Sequence, residues 1–179
     1  MSDEISSFLS SVRKLVVIGL GNELRSDDAV GLEVVRSLKK HEGAGLRVFE
    51  AHTAPDAFIA PVCRAAPTHV LILDAAELGA EPGAWRLLGE EEIAEGLFTT
   101  HTIPVTEVAG ELRRRCACAV GIIGMQPCAR GAGTALSDAA RRAVREVSDA
   151  ILDALRPYDR EKGLHDPLPM NPSSPYKWD

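Results

Sequence analysis

Two carboxylates and one imidazole stand out as groups whose types and positions could do chemistry. Asp28 is the second acid in the turn Gly19-Leu20-Gly21-Asn22-Glu23-Leu24-Arg25-Ser26-Asp27-Asp28. Asp74 closes the apolar run Val70-Leu71-Ile72-Leu73, and His101 lies in Thr99-Thr100-His101-Thr102-Ile103-Pro104, just ahead of a helical pattern. Together they make an O,O,N donor set, which can hold a divalent ion and leave positions open for water or substrate. A helix N-terminus disfavours imidazolium and so keeps His101 in the neutral, metal-binding form. Each residue also has a plainer use. Asp27 or Asp28 can cap the next helix, where negative charge is favoured, but capping needs only one of them. Asp74 can serve a turn, and a lone histidine is often structural. His41, His52, His69 and His165 show no ligand spacing, and there is no HExxH.

Positioning such a set requires a sheet rim. Lys14–Leu20, Leu46–Glu50, His69–Asp74, Ala84–Leu88 and Ala117–Met125 read as five strands, the first, third and last as buried runs. Between them, Asp28–Lys39 and Pro104–Arg115 carry apolar residues at helical spacing, and Asp138–Leu155 does so after them. Pro104 suits a first helical position, and Ser137 is the expected cap of the last helix. Ala57–Arg64 is a weaker helix because it contains Pro61. The alternation implies an α/β fold of three layers, a mainly parallel five-stranded sheet with helices on both faces. Ligands of such sheets bind beyond the carboxyl ends of the strands, where all three candidates fall. The chain divides into an N-terminal extension (1–13), one domain (14–156) and a Pro-rich tail (157–179), expected to be extended or disordered.

Composition narrows the function. The 179 residues include 26 Asp and Glu against 20 Lys and Arg, a net charge of −6. That balance disfavours a phosphate-gripping nucleic-acid binder, and four Phe, two Trp and two Tyr make a poor base-stacking platform. No stretch approaches the ~20 apolar residues of a membrane span, and the acidic start Met1-Ser2-Asp3-Glu4 is unlike a secretory signal. A cytoplasmic protein is therefore expected, with Cys63, Cys116, Cys118 and Cys128 as free thiols buried as small hydrophobes. The turn after the first strand also invites a dinucleotide reading, with Glu50 on a ribose. However, Leu24 replaces the third glycine, and the two acids would repel a pyrophosphate.

As a set, these segments resemble the hydrogenase maturation endopeptidases. VVIGLGNELRSDDAVG (16–31) is similar to that family's N-terminal signature and VLILDAAELGAEPGAW (70–85) to its second motif. TTHTIPVTEV (99–108) resembles its histidine motif, in the form of the branch serving formate-hydrogenlyase-type hydrogenases, and GIIGMQP (121–127) its last-strand motif. The resemblance implies a twisted, mainly parallel five-stranded sheet. It also implies a protease that trims the C-terminal extension from the large-subunit precursor of a nickel–iron hydrogenase. It places both the metal contacts and the catalytic roles on Asp28, Asp74 and His101. Nickel would be supplied by the precursor as a recognition determinant rather than held permanently, and other divalent ions could occupy the site. A monomer acting on a protein partner is expected, without nucleic acid or membrane insertion. Two alternatives are a nucleotide- or metal-binding module without hydrolysis, and an enzyme similar to peptidyl-tRNA hydrolase, which shares the GLGN turn but needs a basic surface.

Overall fold

A computed structural model describes residues 2–89, 105–128 and 131–162. Five strands form one sheet: β1 (Leu15–Leu20), β2 (Leu46–His52), β3 (His69–Ala75), β4 (Trp85–Leu87) and β5 (Ala119–Met125). Their order is β2-β1-β3-β5-β4, and all neighbours are parallel except β4 against β5. The α/β sheet expected from the alternation is thus present. Its strand order turns around between β1 and β3, which continue in opposite directions, and this opens a crevice at their carboxyl ends.

The central strands β1, β3 and β5 are buried on both faces because their apolar residues alternate between two cores. Leu15, Val17, Leu71, Leu73, Ile123 and Met125 face α1 (Ser2–Phe8), α2 (Val30–Leu38) and the last helix. Val16, Ile18, Val70, Ile72, Val120 and Ile122 face α3 (Ile59–Arg64) and α4 (Val105–Cys116). The last helix, α5 (Asp138–Lys162), turns Val147, Ile151 and Leu155 inward. Ser137 caps it as expected, its Oγ accepting the Ala140 N–H at 3.1 Å. A hydrogen bond from Trp85 Nε1 to Glu146 Oε2 (3.0 Å) ties α5 to the short edge strand β4.

Local details add to these expectations. The N-terminal extension carries α1, which buries Ile5, and the following Leu9 and Val12 are also in the core. The helix after β1 begins as a 3-10 turn (Ser26–Ala29), with no side chain capping it or α2. Pro61 is accommodated in the first turn of α3, where N–H groups lack helical partners anyway. Finally, α5 runs through Pro157 to Lys162, inside the segment read as tail. A proline removes one helical donor without obliging the chain beyond it to leave the helix.

The cysteines differ most from expectation. Cys63 and Cys116 form a disulfide, Cys118 is a buried thiol and Cys128 is exposed. The bond exists because α3 and α4 pack side by side on one face of the sheet. Their packing brings the two Cα atoms to 5.2 Å, within bridging range, across 53 residues of sequence. Among the described residues no helix is long and apolar enough to cross a membrane. Closing a ring of this size restricts the unfolded chain by about 3–4 kcal/mol. Urea unfolding with and without a thiol reductant should therefore show a loss of that order on reduction, and an unchanged midpoint would mean the bridge adds no stability.

Candidate active site

The crevice between β1 and β3 is built by close backbone approach. Gly21 has φ +136°, and a Cβ there would lie 1.9 Å from the Asp28 carbonyl oxygen. A Cβ on Gly31 would lie 2.3 Å from the Leu73 carbonyl oxygen and 2.5 Å from that of Leu20. Only glycine fits such contacts. The segment carrying Asp28 therefore lies directly across the carboxyl ends of β1 and β3, next to the residue preceding Asp74. Asp74 is fully buried, and its Oδ1 accepts the Ala75 N–H at 2.8 Å. By strand alternation it shares the face of Val70 and Ile72, the face covered by α4.

The adjacent acids Asp27 and Asp28 do different things. Asp27 is 0% exposed; its Oδ2 accepts the Cys128 N–H (2.9 Å) and the Ser137 hydroxyl (2.7 Å), and its Oδ1 accepts the Ser137 N–H (2.7 Å). It does not cap its own helix. It fastens the start of α5 and the segment after β5 to the turn after β1. Asp28 is 1% exposed, and neither carboxylate oxygen has a hydrogen-bond partner among the described residues. A buried carboxylate left so costs several kcal/mol unless a cation or donor arrives. That orphaned pair of oxygens is what a metal-binding role requires.

Surrounding groups brace the rim. Gln126, just past β5, accepts the Leu78 N–H through Oε1 (2.7 Å) and donates through Nε2 to Glu77 (3.0 Å), which holds the loop after Asp74. Arg36 on α2 binds Glu23 of the first turn, Glu33 (2.6 Å) and Glu50 (2.9 Å). These carboxylates, Glu23 foremost, raise the guanidinium pKa above its ordinary value. Glu50 also lies 3.8 Å from Lys39, so this acid serves an ion-pair cluster rather than the ribose contact of the dinucleotide reading.

Of the three sequence candidates, Asp28 and Asp74 are both buried, Asp74 at the end of β3 and Asp28 in the turn leaving β1, three residues before Gly31, whose Cβ would touch the Leu73 carbonyl. His101 lies outside the described residues, and among those residues no three potential ligands come together. The anchoring role of Asp27 went unread, since its partners are 101 and 110 residues away.

Comparison with known proteins agrees with the fold. Residues 32–154 match the family model described as hydrogenase maturation protease, an interval holding Asp74 and His101 and beginning just after the acidic turn. A protein of Methanocaldococcus jannaschii assigned to the hydrogenase maturation proteases is 34% identical over 135 residues, 71% of this chain and 80% of its own. The hydrogenase 3 maturation protease of Escherichia coli K12 is 27% identical over 113 residues, 63% and 72% of the two chains. In fold, the chain is similar to a nickel–iron hydrogenase maturation protease from Thermococcus kodakarensis KOD1. That likeness has a TM-score of 0.76 at 23% identity and covers 86% of this chain and 99% of that one.

The two acids should separate on substitution. Asp27→Ala removes the buried acceptor of the Cys128 N–H, the Ser137 N–H and the Ser137 hydroxyl, and should cost about 3–5 kcal/mol in urea unfolding. Asp28→Asn removes an uncompensated buried charge and should stabilise the metal-free protein by about 1–3 kcal/mol in chelator. Equal losses in both variants would contradict the division of roles.

Proposed function

We propose, for a chain that belongs to the hydrogenase maturation protease family, that Asp28, Asp74 and His101 form the site at which it reads nickel and processes its substrate. The enzyme is a peptidase that removes the C-terminal extension from the precursor of a nickel–iron hydrogenase large subunit. Nickel arrives in the precursor and is substrate rather than resident cofactor. The observation that carries the assignment is the buried, unpartnered carboxylate of Asp28 beside the end of β3.

Two carboxylates and a neutral imidazole are hard-to-borderline donors suited to a divalent ion. Three protein donors leave positions for the thiolates that hold nickel in the precursor, so protein and precursor share the ion. A divalent ion held there supplies Lewis-acid polarisation of a carbonyl. The chain's own residues do the rest. Asp28, from the turn after β1, and Asp74, from the end of β3, would be the carboxylates that hold the ion. Asp27 keeps the segment after β5 and the start of α5 fastened to the turn. The loop pinned by Gln126 borders the crevice on the β5 side. On this reading either carboxylate could serve as base. On this reading the enzyme works as a cytoplasmic monomer on a protein partner, and other divalent ions compete for the site.

Incubation with nickel-loaded and nickel-free precursor, with the released C-terminal peptide followed by mass, tests the reading. Cleavage of the loaded form alone is expected, and equal cleavage of both would remove nickel as the licence. Asp74→Asn and His101→Ala should each abolish processing, with far-UV circular dichroism unchanged. Full turnover in either variant would take that residue out of the site.

A further inference from the structure

Leu24 sits at the apex of the same turn as Asp28. It is 68% exposed, the only large hydrophobic residue so exposed among those described. Single exposed apolar residues are ordinary on protein surfaces, but this one is held out by its backbone. The Leu24 N–H donates to Asn22 Oδ1 at 2.9 Å, and the Arg25 N–H to the Asn22 carbonyl at 3.0 Å. The Leu24 carbonyl accepts the Gly133 N–H at 3.0 Å, and the Ser26 N–H donates to the Gly133 carbonyl at 2.7 Å, with Ser26 in the left-handed region at φ 49°. On the other side, Glu23 is tied to Arg36. The side chains on either side of Leu24 are polar or charged. A backbone fixed from both directions thus presents one apolar side chain to solvent, four residues before the buried Asp28. A partner burying that side chain gains apolar contact with little backbone ordering left to oppose it.

We infer that Leu24 is a substrate-contact residue that docks against an apolar side chain in the C-terminal segment of the precursor, guiding the scissile bond to the Asp28 crevice. The inference rests on the proposed function, since Leu24 belongs to the same turn as Asp28 and would meet a polypeptide bound there. It makes the turn a recognition element as well as a ligand carrier.

The test compares the whole protein with Leu24→Gln, which keeps length and loses apolarity, and Leu24→Met, which keeps apolarity. Thermal unfolding checks that both are folded. Initial rates on nickel-loaded precursor give kcat and KM. Leu24→Gln should raise KM about tenfold (about 1.4 kcal/mol), with the loss falling on KM, while Leu24→Met stays near the parent value. Unchanged KM in Leu24→Gln, a loss confined to kcat, or an equal loss in Leu24→Met would each overturn the docking role. So would a parent dimer, seen by light scattering, that dissociates in Leu24→Gln with KM unaltered, because a second copy would then cover the leucine. The two readings fail differently: no cleavage by the parent protein sinks the proposed function, whereas cleavage insensitive to Leu24→Gln sinks only this inference.

Discussion

The arrangement depends on how closely one backbone segment approaches two others. The chain leaving β1 must double back over the ends of β1 and β3, and the room for it exists because Gly19, Gly21 and Gly31 lack side chains. A Cβ at Gly19 would meet the Gly31 carbonyl oxygen at 2.4 Å. The three glycines therefore act as one fitting, and no one of them can enlarge without moving the acidic turn. Lifting that turn would carry Asp28 away from β3, draw Asp27 from Cys128 and Ser137, and unseat α2 from the sheet. Local flexibility of glycine is the lesser part of the explanation; the greater part is steric, since the crevice is as narrow as bare backbone allows.

Adjacent acids of the same type then divide the work by environment. Asp27 is saturated with donors and behaves as a structural fastening between distant segments. Asp28 is equally buried and has none among the described residues. A carboxylate left in that state costs stability, and that cost is what supports the proposal of a binding role for it.

Much of this was legible in the chain itself. The buried runs of β1, β3 and β5 and the amphipathic spacing of α2, α4 and α5 announce a three-layer sheet, because two-sided burial and one-sided burial leave different periodicities. Asp74, proposed as a site residue, stands out in the chain because a carboxylate ending an apolar strand is an anomaly. The assignment of roles between Asp27 and Asp28 was not, since local pattern allows either to cap and the deciding partners come from beyond β5. The Cys63–Cys116 bond was hidden for the same reason: it depends on two helices meeting across a sheet. The helical character of Ser2–Phe8 was masked by its brevity, and its place in the core rests on tertiary contacts.

The disulfide has a topological consequence. Asp74 lies between Cys63 and Cys116 in sequence, as do β3, β4 and His101. These parts of the molecule therefore belong to a covalent ring, while Asp28 stands on the chain outside it. A peptide bond broken anywhere within the ring opens a loop but frees no fragment, so a nicked molecule keeps its covalent integrity until a reductant reaches the bridge. Such tolerance of scission is a form of durability distinct from resistance to unfolding.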